Sequence, residues 1–140
     1  MEHLTGIWEG EYTVNIGSDE TPTIEYHSFR LSLIEKDGEF TGTSEDITLS
    51  NEPATIAGFR DADFISFIKK YNRLILTENM EYFVDDSAQH PDIHYLGTYN
   101  QEESCYEGTW EMQESEEQVS LQNAYKISHF TGSWYMRKVG

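Results

Sequence analysis

The sequence has little cysteine, little proline and few basic residues. Its 140 residues include one cysteine and three prolines, and 26 acidic residues against nine basic ones give a formal net charge of −17. A lone Cys105 has no partner for an internal disulfide, which favours a reducing compartment. Because so negative a surface repels phosphates, we expect no nucleic-acid partner and no anionic membrane partner.

Long apolar runs are also missing. No apolar stretch approaches membrane-spanning length, and residues 1–6 contain neither the basic nor the apolar region of a signal peptide. We therefore expect a cytoplasmic protein that does not associate with membranes. A chain of this length is typical of one domain, so residues 1–140 are predicted to form a single domain.

Aromatic residues are abundant, at 14% of the chain, and apolar residues recur mostly with a period of two. This spacing is typical of strands with one buried face. On the first strand, one face carries Gly6, Trp8, Gly10, Tyr12 and Val14. Asp37-Gly38 suits the positive φ angles of a tight hairpin turn. Further predicted strands are Phe29 to Leu33, Phe40 to Ile47, Ala54 to Phe59, Phe64 to Tyr71, Ile93 to Tyr99, Cys105 to Met112 and Phe130 to Val139.

The predicted fold is an all-β, up-and-down antiparallel β-barrel of about eight strands, with short polar loops. Asn72 to Pro91 is interpreted as a hairpin excursion that caps one barrel end. The alternative makes it two further barrel strands, about ten in all. Glu114 to Glu117 is interpreted as a solvated turn, and Val119 to Ile127 is either a short strand or a helix.

Glycine and tryptophan recur together in three strands. Gly6-Ile7-Trp8, Gly108-Thr109-Trp110 and Gly132-Ser133-Trp134 each place an indole two residues after a glycine. Glycine in a strand allows a sharp bend and the close approach of a bulky neighbour. We therefore predict that Trp8, Trp110 and Trp134 all face the barrel interior.

Gly6-Ile7-Trp8 near one end of the chain and the basic pair Arg137-Lys138 near the other resemble the calycin signature. In lipocalins and their relatives, a cation from the closing strand covers the indole of an early Gly-x-Trp. Lys138 lies on the same face of the predicted last strand as Trp134, so the resemblance implies that Lys138 is that cation.

The run Gly38 to Glu45 resembles the layout of avidins, although Ser44 stands where avidins place a biotin-contacting tyrosine. Most of the chain is also similar to a group of small bacterial calycin-like proteins to which no chemistry is assigned. The shared segments are Ile56-Ala57-Gly58, Ile65 to Tyr71, Ile93 to Gly97 and Gly132-Ser133-Trp134. These resemblances imply a calycin-like barrel, and no cofactor is predicted.

Candidate chemistry is sparse. His90-Pro91-Asp92-Ile93-His94 has a metal-like composition, but a third ligand at a defined spacing is missing, so no metal site is predicted. His27 and His129 raise the question of a haem ligand, but a hydrogen-bonded structural imidazole is the favoured interpretation. Arg30 and Lys69 interrupt apolar strands. Two interpretations stay open for each residue: it anchors the anionic headgroup of a ligand at a barrel mouth, or it points outward into solvent. No catalytic residue is predicted.

The leading functional hypothesis is non-enzymatic binding of a small, largely apolar molecule in the barrel mouth. The first alternative is a barrel filled by side chains that serves as a structural or protein-interaction module. An enzyme of unassigned type is the second alternative. The predicted ligand-binding residues are Trp8, Tyr12, Arg30, Tyr95, Trp110 and Trp134.

Overall fold

The computed structural model describes residues 3–15, 20–46, 53–70, 74–78, 81–85, 92–112, 115–118, 124–127 and 130–140. The described residues form twelve β-strands: β1 (Gly6–Asn15), β2 (Ile24–Lys36), β3 (Glu39–Asp46), β4 (Ala54–Asp61), β5 (Phe64–Lys70), β6 (Leu74–Glu78), β7 (Glu81–Asp85), β8 (Ile93–Asn100), β9 (Cys105–Met112), β10 (Ser115–Gln118), β11 (Ala124–Ile127) and β12 (Phe130–Lys138). None of the described segments forms a helix long and apolar enough to cross a membrane.

Eight of these strands close into one antiparallel barrel in the order β1-β12-β9-β8-β5-β4-β3-β2. Sequence neighbours are mostly barrel neighbours, and β12 closes the barrel by pairing with β1. The predicted up-and-down barrel of eight strands is therefore confirmed. The ten-strand alternative is wrong, because β6 and β7 pair with each other in a separate two-stranded sheet.

The described part of the predicted solvated turn, residues 115–117, forms a strand instead. Ser115–Gln118 pairs with Ala124–Ile127 as a second two-stranded hairpin, and the register places Glu116 opposite Lys126. Pairing gives these backbone groups partners that a solvated turn would leave to water. Within Val119 to Ile127, the described residues Ala124–Ile127 are strand, not helix.

The two ends of the barrel differ in their connections. At one end, which we call the turn end, short turns join β2 to β3, β4 to β5 and β8 to β9. The predicted Asp37-Gly38 turn lies there, with φ of 54° at Asp37 and 82° at Gly38. At the opposite end, which we call the loop end, segments 16–23, 47–53, 71–92 and 113–129 join consecutive barrel strands.

Alternating burial defines the barrel interior. On β2, residues from His27 to Glu35 are buried at every second position, and the intervening residues are exposed. The prediction that the three indoles face inward is confirmed: Trp8, Trp110 and Trp134 are 1%, 5% and 3% exposed. Glycine makes room for two of them, because a Cβ on Gly132 would overlap Trp110 and one on Gly97 would lie 2.6 Å from Trp134.

Aromatic rings fill the middle of the barrel. Phe67 stacks on Tyr95 with ring centroids 4.7 Å apart, and the edge of Trp134 meets both rings at 5.5 and 5.6 Å. Nearer the turn end, Trp8 packs against Tyr106 at 5.6 Å. These rings lie between the turn end and the loop end of the interior.

Candidate functional site

Lys69 is a buried cation inside the barrel. On β5 the alternation that buries Ile65 and Phe67 carries Lys69 inward as well, while Ile68 and Lys70 are exposed. The Lys69 side chain is 2% exposed. Since Lys69 is the second-last residue of β5, this cation lies near the loop end.

The ammonium of Lys69 extends across the lumen to aromatic rings on other strands. Nζ lies 4.8 Å from the ring centroid of Tyr12 on β1, 5.9 Å from that of Phe29 on β2 and 5.9 Å from that of Tyr95 on β8. In the barrel order, β5 neighbours β4 and β8, so Tyr12 and Phe29 belong to the opposite wall. Ring faces attract a cation by roughly 0.5–2 kcal/mol each, more where water is excluded.

His27 adds a second nitrogen-bearing side chain to this end of the lumen. Its ring is buried and stacks on Tyr12 with centroids 5.2 Å apart. Its Nε2 lies 3.0 Å from Oε1 of Glu25, whose side chain is partly exposed at the loop end. Glu25 thus orients the imidazole, and the pair is ionic when His27 is protonated.

Trp110 borders the same region. Its ring meets Tyr12 edge-on at 6.3 Å, and its Nε1 donates a hydrogen bond of 2.9 Å to the carbonyl oxygen of Thr13. Ser44, on β3, is fully buried at this end. We call the following group the loop-end cluster: Tyr12, His27, Phe29, Ser44, Lys69, Tyr95 and Trp110.

The turn end holds a buried carboxylate with its own cation. Oε2 of Glu35 lies 2.7 Å from Nε of Arg60, and Oε1 accepts a hydrogen bond of 2.8 Å from the backbone N–H of Leu4. Burial alone would raise the pKa of Glu35, but the hydrogen bonds from Arg60 and Leu4 and the charges of Arg60 and His3 outweigh it. The pKa of Glu35 therefore lies below its ordinary value of 4.5. This group has the arrangement of a structural ion pair.

Buried polar side chains lie at both ends of the interior. Among the residues whose burial is described, the buried polar side chains are His27, Glu35, Ser44 and Lys69. The carboxylate in this set, Glu35, is paired with Arg60 at the turn end. The two side chains that can be cationic, Lys69 and His27, lie at the loop end, inside a protein whose net charge is −17.

The structure separates the six predicted ligand-binding residues. Tyr12, Tyr95 and Trp110 belong to the loop-end cluster, and Trp134 packs beside Tyr95 in the middle of the barrel. Trp8 lies towards the turn end, where its Nε1 donates to the carbonyl oxygen of Leu4 at 2.9 Å.

Arg30 is on the outer wall, where its guanidinium pairs with Glu9 at 2.6 Å. Of the two basic residues considered for an anion anchor, the interior one is therefore Lys69. Lys69, His27 and Ser44 were not among the predicted ligand-binding residues. For His27 and Ser44, strand parity was the available signal, since each occupies the inward series of its strand.

The remaining candidates lie apart from the lumen or outside the described residues. Asp92 pairs with Lys70 at 3.7 Å on the surface, and His94 is exposed. His90 and His129 lie outside the described residues. The register places Lys138 opposite Trp8, and its Nζ donates to the carbonyl oxygen of His3 at 3.2 Å. In the described part of the chain, no three side chains of metal-ligating type lie together.

No protein-family model matches the chain, and the curated proteins and the solved structures contain no significant match.

Proposed function

We propose that this protein binds a small, largely apolar molecule in the loop end of its barrel without catalysing a reaction. The observation that carries the proposal is the burial of Lys69 among three aromatic rings from three strands. Removing an ammonium from water is unfavourable, and apolar residues of similar volume often stabilise an interior as well or better. This buried cation is therefore the candidate for a polar group that orients a ligand.

The surroundings of Lys69 match the composition of small-molecule sites. Such sites combine apolar and aromatic walls with a few polar groups that orient the ligand. Tyr12, Phe29, Tyr95 and Trp110 supply the walls, and Lys69, with His27 and Ser44, supplies the polar groups. Ile93 and Met112 add aliphatic surface at the same end.

The packed middle of the barrel favours the alternative hypothesis, a barrel filled by side chains, for that part of the molecule. Phe67 and Tyr95 are register neighbours on β5 and β8, and Trp134 on β12 contacts both rings, so side chains pack closely in this layer, as they commonly do in small eight-stranded barrels. A ligand is therefore proposed for the loop end alone. If the loop end is filled in the same way, the protein is a structural or interaction module.

A neutral fluorescent probe distinguishes the two functions. We expect N-phenyl-1-naphthylamine to gain fluorescence on saturable binding to the full chain and to quench its tryptophan emission, since Trp110 borders the proposed site. Native mass spectrometry of the gently purified protein should also show a bound small mass that denaturation releases. An absence of saturable probe binding and of any released mass would leave the filled barrel as the function.

Three broader proposals accompany this function. The barrel is proposed to be of the calycin type, supported by its closed up-and-down topology and by the register that sets Lys138 opposite Trp8. A cytoplasmic location is supported by the single thiol of Cys105, which is buried; burial raises its pKa and keeps it unreactive. Nucleic acids are not proposed as partners, because the net charge of −17 opposes them.

A further inference from the structure

An apolar patch lies on the outer wall of the barrel, on the neighbouring strands β4, β5 and β8. Its large side chains are Phe59, Ile68 and Leu96, which are between 37% and 50% exposed, and Phe64, which is partly exposed. Short uncharged side chains occupy the outward positions between them. We call the following group the outer patch: Ala57, Phe59, Phe64, Ser66, Ile68, Leu96 and Thr98.

The strand register makes the outer patch one continuous surface. Ser66 on β5 lies between Phe59 on β4 and Leu96 on β8, and Ile68 is the next outward residue of β5. The rings of Phe59 and Phe64 pack together with centroids 6.3 Å apart. Since neighbouring strands are about 4.8 Å apart, the three strands span roughly 10 Å, which is about the diameter of one helix. The patch is therefore large enough to contact one segment of a partner.

Carboxylates border the outer patch on the flanking strands and at the turn end. In the described part of the chain, they are Glu39 and Glu45 on β3, Asp61 on β4, and Glu107 and Glu111 on β9. Two lysines are nearby. Lys70 pairs with Asp92 at 3.7 Å, and Lys36 lies opposite Glu39 in the register. The rim of the patch therefore has a negative net charge.

An uncharged apolar centre with a polar rim is the usual anatomy of a protein–protein interface. Contiguous exposed apolar side chains with such a rim mark interaction sites on soluble proteins. The outer patch has both parts, and its position also matters. Its side chains point away from the lumen, so a small molecule in the loop end does not cover them.

We propose that the outer patch is the docking surface for a partner protein that presents an apolar centre flanked by lysine or arginine side chains. The apolar centre covers Phe59, Ile68 and Leu96, and the basic flanks meet the carboxylates of β3 and β9. Opposite charges at the rim of an interface steer association and fix its register. This inference goes beyond the proposed binding function and does not depend on it.

The charge of the rim argues against two other occupants. A second copy of this chain would bring the carboxylates of β3 and β9 towards their equivalents, and each copy has a net charge of −17. Like charges placed together across an interface oppose association. A zwitterionic membrane surface has no net positive charge to match the rim. A partner with basic flanks satisfies both the apolar centre and the acidic border.

Two synthetic peptides of equal positive charge test the proposal. The first is an amphipathic peptide of leucine and lysine with its leucines on one face, and the second has serine at every leucine position. Both are titrated calorimetrically into the full chain at about 0.15 M salt, which screens non-specific attraction between exposed charges. We expect the leucine peptide to bind at least about tenfold more tightly than the serine peptide.

A double variant tests the apolar centre. Ile68→Thr with Leu96→Thr removes two apolar side chains, and threonine retains the preference for strand structure. This variant should bind the leucine peptide at least about tenfold more weakly. The matched control is Ile24→Thr with Tyr26→Thr, which replaces two exposed apolar side chains on β2, the strand opposite β8 in the barrel. The control should change the affinity by less than about twofold.

A second pair of variants tests the rim. Glu39→Gln with Glu107→Gln removes one carboxylate from each side of the patch. Glu9→Gln with Glu11→Gln removes the same charge from β1, the strand opposite β5. General attraction between an acidic protein and a basic peptide weakens equally in the two variants. We expect the first variant to lose at least about threefold more affinity for the leucine peptide than the second.

Equal binding of the two peptides, or equal losses in the patch variants and their controls, overturns the proposal. Sedimentation of the native chain and binding to phosphatidylcholine vesicles test the other occupants. A dimer, or vesicle binding, that Ile68→Thr with Leu96→Thr abolishes would overturn the basic partner in favour of that occupant. N-phenyl-1-naphthylamine should bind this variant as it binds the native chain, because its proposed site is inside the barrel. The two proposals therefore fail separately.

Discussion

The backbone N–H of Leu4 donates a hydrogen bond of 2.8 Å to Oε1 of Glu35, a residue 31 positions further along the chain, and both groups are buried. The other carboxylate oxygen of Glu35 binds Arg60 on β4. One side chain on β2 therefore connects the segment before β1 to β4 at the turn end. The indole of Trp8 reinforces this connection by donating to the carbonyl oxygen of Leu4.

Glu35→Gln should destabilise the protein. The substitution keeps the volume of the side chain but removes its charge and one acceptor oxygen, which leaves buried donors poorly satisfied at a cost of about 1–3 kcal/mol. The matched control is Glu9→Gln, which breaks an arginine pair on the exposed outer wall and should cost under about 1 kcal/mol. Urea unfolding of the three proteins measures both values. Equal destabilisation by the two variants would contradict a structural role specific to Glu35.

The contribution of Glu35 should depend on pH in the acid range. The pKa of Glu35 lies below its ordinary value of 4.5 in the folded protein, so the unfolded chain binds the proton more readily. The stabilisation is therefore complete above about pH 4.5 and is lost as the pH falls through the folded-state pKa. The difference in unfolding free energy between the native chain and Glu35→Gln should shrink over this interval. A difference that is constant down to acid pH would show that the carboxylate is not the titrating group.

Tyr106→Phe should leave stability unchanged or raise it by up to about 1–3 kcal/mol. Within the described residues, the Tyr106 hydroxyl is a buried polar atom without a hydrogen-bond partner. Burial raises the pKa of Tyr106 to about 12. Since the folded state resists ionisation, the native chain should lose stability between about pH 10 and pH 12, and the phenylalanine variant should lose less. The comparison is Tyr135→Phe, which removes a hydroxyl that donates to Glu11 at 2.8 Å and should not stabilise.

Gly132→Ala should destabilise the barrel by about 1–3 kcal/mol. A methyl group on Gly132 would overlap the carbonyl oxygen of Thr13 and the Nε1 atom of Trp110, the two groups that share a hydrogen bond. Relief requires the indole or the backbone to move, so near-ultraviolet circular dichroism of the tryptophans should change. Gly140→Ala, whose added methyl makes only ordinary contacts near 3.4 Å, should stay within about 0.5 kcal/mol. Unchanged stability in both variants would mean that Trp110 is not held closely.

Amide exchange should be faster in the β6–β7 hairpin than in β5 and β8. The hairpin strands, Leu74–Glu78 and Glu81–Asp85, pair only with each other in the described sheets. In contrast, β5 and β8 pair with each other, and each also pairs with a second barrel strand. The hairpin can therefore open while the barrel stays closed. A ligand in the loop end is expected to slow this exchange. Protection of the hairpin equal to that of the flanking strands would show that it opens only when the whole barrel unfolds.

The architecture was predictable because period-two alternation is strong in most barrel strands. On β2, the series from Phe29 to Leu33 indicates both the strand and its inward face, and the same parity places Arg30 outside. The hairpin turn at Asp37-Gly38 was predictable because only a few residues adopt positive φ without strain. The acidic run before Gln118 was misassigned, because charge alone does not distinguish a solvated turn from a hairpin strand.

The candidate site was only partly predictable. On β5, apolar residues occupy both faces, since Ile65 and Phe67 are buried while Ile68 is exposed, so hydrophobicity alone does not assign Lys69 to a face. The contacts of Lys69 with Tyr12 and Phe29 join residues on opposite walls, and those depend on barrel closure. Glu35 has the inward parity of β2, but its partners Leu4 and Arg60 are distant in sequence and carry no local signal.

The backbone of Ile7 exchanges hydrogen bonds with Gly140, so both ends of the described chain lie at the turn end. A linker attached at either terminus therefore leaves the molecule on the side away from the loop-end cluster. The protein immobilised through such a linker on a sensor surface would present the loop end to the solution. Fusion to another protein at either terminus would likewise keep that end unobstructed.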